Sequence, residues 1–416
     1  MSQRNWLWIV VDLALLVGIG LWLWPKSPSP TQVQPVRPGV TATPVHPYIR
    51  HRVAPAKPVA RPEDQPVVAT TVTNAADVYR GAFERYAALS KEEQGILSDW
   101  RTNVDDAVTE KLCQKIRPIC DLMHKAAAVS NCDWGIEQPM TFDTMLPHLA
   151  PSRALGRAAV WSAAHCRVND GAGAIDDVVA DLQLGRQLFH GSALIGMLVD
   201  MAMQNTALEY MAANSELFQG AAGARVVAAL DDPLDRTAWS QVMGQEVECA
   251  ENLLGKLAAL PAGDAARLLS GIMGDGPGGN NIQWDPAVIS QLQQVADFER
   301  NWAKVLAAST EAEYQAVMRQ YDALVAANPI AAALMPTDKL LDKAQRATVN
   351  QALVLAGLAV ATEGTAALAT YPDPATGQPF TYRTVPGGFE LQSNYQVNNQ
   401  LLKIFFPQSA TRKEKR

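Results

Sequence analysis

Residues Trp6–Trp24 read WLWIVVDLALLVGIGLWLW, nineteen residues with a single charge at Asp12. A helix of that length rises about 28 Å, close to the thickness of a hydrocarbon core. Trp6, Trp8, Trp22 and Trp24 sit at its two ends, where indoles prefer the membrane–water interface. A cleaved signal peptide would need small residues after the apolar run, and here tryptophans and then Pro25 follow. The expectation is an uncleaved transmembrane anchor over residues 1–24, with lipid as the partner of residues 6–24. Asp12 lies near the end of the span, where it is expected to face water or to be protonated. Arg4 and the amino terminus stand against Lys26 and Arg37, so charge alone leaves the orientation open. The short leading tail and the linker argue for the amino terminus in the cytoplasm. That gives a single-pass inner-membrane protein with its bulk outside the cytoplasm, in the periplasm.

The segment after the span constrains the layout further. Pro25–Pro66 contains eleven prolines and no apolar periodicity. Such a chain has too little apolar surface to offset its ordering entropy, and residues 25–73 are expected to be an extended, disordered linker. At roughly 3.1 Å per residue the stretch Pro25–Pro66 reaches on the order of 130 Å.

Charge excludes one class of partner. The formal net charge is −7, and six basic residues against two acids lie between Pro25 and Pro66, so the remainder is more acidic still. Nucleic acid is therefore not an expected partner. Five cysteines (Cys113, Cys120, Cys132, Cys166 and Cys249) are too few and too odd in number for a disulfide scaffold. One or two bridges are compatible with a place outside the cytoplasm. Cys113 and Cys120 fall on one face of a continuous helix, but about two turns apart, too far to bridge each other. The pairing stays open.

Residues 74–370 carry helical spacing and helix punctuation. Ser90-Lys91-Glu92-Glu93 and Thr310-Glu311-Ala312-Glu313 have the form of capping boxes. Asp285-Pro286 suits a cap and first turn, and a long helix is expected from Thr337. Asn169-Asp170-Gly171-Ala172-Gly173 separates two helices, about 152–167 and 174–190, and a third is expected over about 192–213. The predicted fold class is all-α, an irregular array of antiparallel helical hairpins behind the membrane anchor. Near Tyr371 the composition changes. Phe380–Arg383 and Phe389–Gln392 are β-prone and flank Pro386-Gly387-Gly388, which predicts a small β-hairpin within 371–400 and a basic tail over 401–416.

Two resemblances add to this. Cys132-Asp133-Trp134-Gly135, Leu146-Pro147-His148-Leu149, Arg153, Arg157, Leu182–Arg186 and Leu194–Val199 together resemble an uncharacterised family of bacterial membrane-anchored helical proteins. The resemblance covers about seventy residues; it implies the same layout and lends no activity. Asp373–Tyr382 with Phe389–Ser393 resembles the C-terminal hairpin of type II secretion pseudopilins. The amino terminus departs from that family, because it lacks the basic leader with its glycine cleavage signal and the glutamate of the apolar helix.

The stretch Asn131–Leu149, NCDWGIEQPMTFDTMLPHL, gathers most of the groups with chemical potential. A thiol nucleophile at Cys132 would need His148 or His165 as base and Asp133 or Asp143 as orienting acid. A metal would draw on Cys132, His148, His165 and Cys166. Neither set has the local spacing of an established motif, and His165 and Cys166 diverge by about 100° on a helix. A structural joint accounts for more of the stretch. Trp134-Gly135 makes an aromatic turn, Pro139 and Pro147 stop helices, His148 hydrogen-bonds a helix end, and Arg153 and Arg157 pair with Asp133 or Glu137. Gly274–Asn281 lacks the lysine and the preceding strand of a phosphate loop and reads as an inter-helix loop. Glu246, Glu248 and Glu251 beside Cys249 read as a solvated face. No catalytic residue, metal site or cofactor is expected; Cys132, His148 and His165 are the candidates held in reserve. The expected function is a tethered, noncatalytic cell-envelope protein that binds another protein or an envelope component. The alternatives are an extracytoplasmic hydrolase centred on Cys132 and His148, or an accessory part of a secretion or pilus system.

Overall fold

The computed structural model describes residues 73–137, 140–141, 144, 146–189, 194–230, 236–273, 286–308, 311–328, 331, 337–397 and 399–408. The span at Trp6–Trp24, the linker up to residue 72, the loop Gly274–Asn281, Asp143 and residues 409–416 lie outside them. Among the described residues no helix is long and apolar enough to cross a membrane.

These residues form two compact units. The stretch read as one helical domain over 74–370 is divided between them. The larger unit takes residues up to 136, then 145–235 and 338 onward. It begins with α1 (Ala75–Ala87), α2 (Lys91–Ile96), α3 (Asp106–Ala127), α4 (Leu149–His165), α5 (Gly171–Phe189) and α6 (Leu194–Ala213). A short α7 (Gly220–Ala229) and the long α12 (Thr337–Glu363) complete its helices.

Local chemistry fixes several of the helix starts. Asn74 accepts from the Ala76 amide to open α1. Ser90 and Glu93 form the reciprocal capping box at α2, and Asp105 accepts from the Val108 amide at α3. Each such cap satisfies a backbone N–H that has no partner within the helix. Trp161, Tyr210 and Phe218 are among the largest side chains buried in this unit's interior.

The unit ends in a three-stranded antiparallel sheet, β1 (Thr381–Val385), β2 (Gly388–Val397) and β3 (Gln400–Pro407), in that spatial order. The expected hairpin is present as β1–β2, but the region read as a tail from 401 is a third strand as far as Pro407. Val397 pairs with Gln400 across a tight turn in which Asn399 has φ +61, a conformation asparagine tolerates better than most residues. Phe406 of β3 faces Phe389 of β2 with ring centroids 5.0 Å apart. It packs so closely on α12 that a Cβ at Gly357 would lie 2.0 Å from its ring.

The smaller unit contains residues 137–144 and 236–337. Its helices are α8 (Arg236–Ala259), α9 (Ala262–Met273), α10 (Pro286–Ala308) and α11 (Glu311–Ala327). Starts at Pro286 and Glu311 agree with the sequence; the expected caps Asp285 and Thr310 lie outside the described residues. Leu253, Leu257, Leu269 and Leu292 pack together, and Trp239 and Trp302 are buried.

Candidate functional site

The stretch that opens at Asn131 is pinned first by its backbone. The Ala75 amide donates to the Asn131 carbonyl (2.8 Å), and the Asn74 side chain bonds both backbone groups of Asp133. Asp133 Oδ1 accepts from the Gly135 amide, and Gly135 takes φ +70, the turn anticipated from Trp134-Gly135. This swings Trp134 inward. Its ring stacks on His148 (centroids 4.5 Å apart, planes 11° apart) and lies 5.8 Å from Tyr79 and 6.0 Å from Phe83. Its Nε1 donates to the Gln187 carbonyl of α5 (3.1 Å). Tyr79 donates to Gln187 Oε1, and Gln187 Nε2 donates to the Val129 carbonyl. Aromatic stacking and buried hydrogen bonds thus join α1, the connector and α5 at one place.

The reserve candidates do not assemble. His148 precedes α4 and His165 ends it; seventeen helical residues separate them by about 25 Å. His165 Nε2 contacts the Trp100 carbonyl (2.8 Å), and its ring stacks on Trp161. Cys166 is bonded to Cys113, with Cα atoms 5.4 Å apart, so it has no thiolate to offer a metal. Cys132 makes no hydrogen bond to His148. Burial, above all, raises its thiol to about 11, the reverse of an activated nucleophile. Burial and then the Arg80 charge push His148 down to about 4. Among the described residues no three His, Cys, Asp or Glu side chains gather where they could hold a metal ion.

Two expectations for the joint need correction. His148 occupies the cap position of α4, but its side chain makes no capping bond; the stack on Trp134 holds its ring over the aromatic cluster instead. Arg153 and Arg157 form no ion pair with Asp133. Asp133 is turned back on Gly135, and Arg80 of α1 takes the neighbouring Trp134 carbonyl.

The polar groups of greatest interest lie deeper, on α3, α4, α5 and α6. Asp177 of α5, wholly buried, accepts from Ser162 Oγ and meets His124 Nε2, both at 2.8 Å; Arg167 Nε lies at 3.4 Å. The serine and the histidine both contact the carboxylate and not each other, so this hub ties α3, α4 and α5 together without generating an alkoxide.

One turn further along α5, Asp181 is also wholly buried, and neither of its oxygens has a hydrogen-bond partner. Its carboxyl is held well above the usual range by burial and then by the Asp200 charge from α6. Both carboxylates occupy places where the helices leave out a side chain. A Cβ on Gly156 of α4 would lie 2.2 Å from Asp181 Oδ1, and one on Gly185 of α5 would lie 2.2 Å from Asp200 Oδ1. Gln204, one turn after Asp200, donates to Asp200 Oδ2 (2.8 Å). The oxygen of its amide, like Ser152 Oγ one turn before Gly156, is buried without a partner. In sequence the seam shows only as acids at 177, 181 and 200 that interrupt otherwise apolar helix faces, and their meeting depends on how the helices pack.

In the smaller unit, Glu299 is raised to about 8 by burial and then by Glu246. Cys249 is buried, and its thiol is pushed up to about 12 by burial, then by Glu246 and Glu248. The glutamates near Cys249 are therefore only partly a solvated face: Glu248 is exposed, while Glu246 is half-buried and faces the Glu299 carboxyl electrostatically. Compared with family models, with curated proteins and with solved structures, the chain matches none.

Proposed function

We propose that this chain is a membrane-tethered, noncatalytic cell-envelope protein. Trp6–Trp24 anchors it, and its helical domain, set off by the proline-rich linker, binds another protein or an envelope component. The observation that carries the reading is the Cys113–Cys166 bridge. Structural disulfides persist outside the cytoplasm and are rare within it. A route across the membrane is then required, and the tryptophan-flanked apolar segment supplies one. The absence of catalysis is supported by chemistry at the best candidate pair. A thiol raised to about 11 and an imidazole lowered to about 4, with no hydrogen bond between them, lack the coupling that nucleophilic catalysis needs.

The test uses spheroplasts and the full-length chain. An added protease that cannot cross the membrane should degrade the domain while cytoplasmic markers survive. Cys132→Ser and His148→Asn should both support wild-type cellular function. A protected domain overturns the location, and loss of function in a variant with wild-type stability overturns the noncatalytic role.

A further inference from the structure

We propose that the seam between α4, α5 and α6 is a binding site for a hard divalent cation of the calcium class, held by Asp181 and Asp200 with Gln204 and Ser152. Its starting point is Asp181, with both oxygens buried and neither accepting a hydrogen bond. Burying such a group uncompensated costs several kcal/mol in general, and a second carboxylate nearby adds to the cost. Only a proton or a cation relieves it.

The surroundings favour the cation. The seam is built to admit the two carboxylates, since Gly156 and Gly185 leave the space that a Cβ would take from each. Two further oxygens are buried there without donors. Gln204 is held beside Asp200 by its own Nε2, and its amide oxygen is buried without a donor. Ser152 shares the Gly156 face of α4 at one-turn spacing, and its hydroxyl is unpartnered. With the two carboxylates, these groups bring oxygens from four side chains to the seam.

The donor set selects the ion class. All four side chains offer oxygen, which suits a hard cation and not zinc, whose sites favour sulfur and nitrogen. Magnesium dehydrates reluctantly and demands near-ideal octahedral geometry; calcium tolerates irregular shells of roughly six to eight oxygens, so water would complete this one. Extracellular calcium modules bind at roughly 10⁻⁴–10⁻³ M, and an affinity in that range is expected here.

The experiment titrates calcium chloride into full-length protein, purified in detergent and stripped with EDTA, following both heat and melting temperature. Magnesium chloride at matched ionic strength is the control. The expected result is one calcium per chain, a saturable rise of several degrees in melting temperature, and a much smaller response to magnesium. Asp181→Asn should abolish the calcium response, and Ser152→Ala, a smaller change, should weaken affinity several-fold while the protein stays folded. The proposal is overturned if wild-type protein shows neither heat nor shift, which would identify the acids as a proton-sharing pair. It is equally overturned if Asp181→Asn or Ser152→Ala keeps the full wild-type response, which would place the calcium elsewhere.

Discussion

Trp134 illustrates how one side chain organises its neighbourhood. Its ring is almost fully buried among Tyr79, Phe83 and His148, and its indole N–H is satisfied by α5. Trp134→Ala would leave a large cavity and an unpaired carbonyl, at a cost of about 3–5 kcal/mol. Chemical denaturation should show that loss as a lower midpoint. His148 has a pH signature. Burial, then the Arg80 charge, depress its folded pKa to about 4, against about 6.5 in an unfolded chain. The unfolded state therefore binds more protons between those values. The stability His148 contributes is complete above pH 6.5 and is lost as pH falls toward 4. His148→Asn should be less sensitive to acid than wild type across that window, measured as the difference between the two melting curves. The turn at Trp134-Gly135 was legible from the sequence, because a glycine after a large aromatic has a local physical meaning. The stack on His148 was not, since it joins residues fourteen apart through a fold the spacing does not specify.

At the scale of elements, helix starts were the most legible feature, because capping is chemistry within four residues. Ser90 and Glu93 form their box as expected, and α10, α11 and α12 begin at Pro286, Glu311 and Thr337. Pairings between elements were less accessible. Cys113 and Cys166 lie fifty-three residues apart, and only the packing of α3 beside α4 brings them together. A loop of that size predicts a chain-entropy contribution of about 4 kcal/mol. Replacing both cysteines with alanine should lower stability by about 2–4 kcal/mol, and reductant should destabilise the wild type but not the double variant. Asp181 and Asp200 were missed for a related reason: a lone acid in an apolar helix gains meaning only once the neighbouring helix is placed. Between α8 and α10 the half-buried Glu299 makes a second pH prediction, opposite in sign to that of His148. Burial, then Glu246, raise its folded pKa to about 8, so the folded state holds the proton more tightly. Its contribution is complete below about pH 4.5 and fades as pH rises through 8. Glu299→Gln should leave stability near pH 5 unchanged and raise it at pH 8.5, as read by thermal melts at both values.

For the whole molecule, composition conveyed a helical protein with a small β element, and the division into two units was beyond it. The chain leaves the larger unit near residue 137, returns near 145, leaves again after 235 and returns near 338, and no linker-like composition marks those crossings. The third strand escaped for another reason. Gln400–Pro407 alternates, with Phe406 inward and Phe405 outward, but Leu401-Leu402 blurs its period and the basic residues just beyond it suggest a solvated end. The redox state of the Cys113–Cys166 pair reports where this molecule resides. Free thiols would be blocked in intact cells without reductant, and the membrane fraction washed with carbonate and digested for mass spectrometry. Full-length protein is expected in the washed membranes, with the Cys113 and Cys166 peptides linked and Cys132 alkylated. Soluble protein carrying alkylated Cys113 and Cys166 would rule out a membrane-anchored domain outside the cytoplasm.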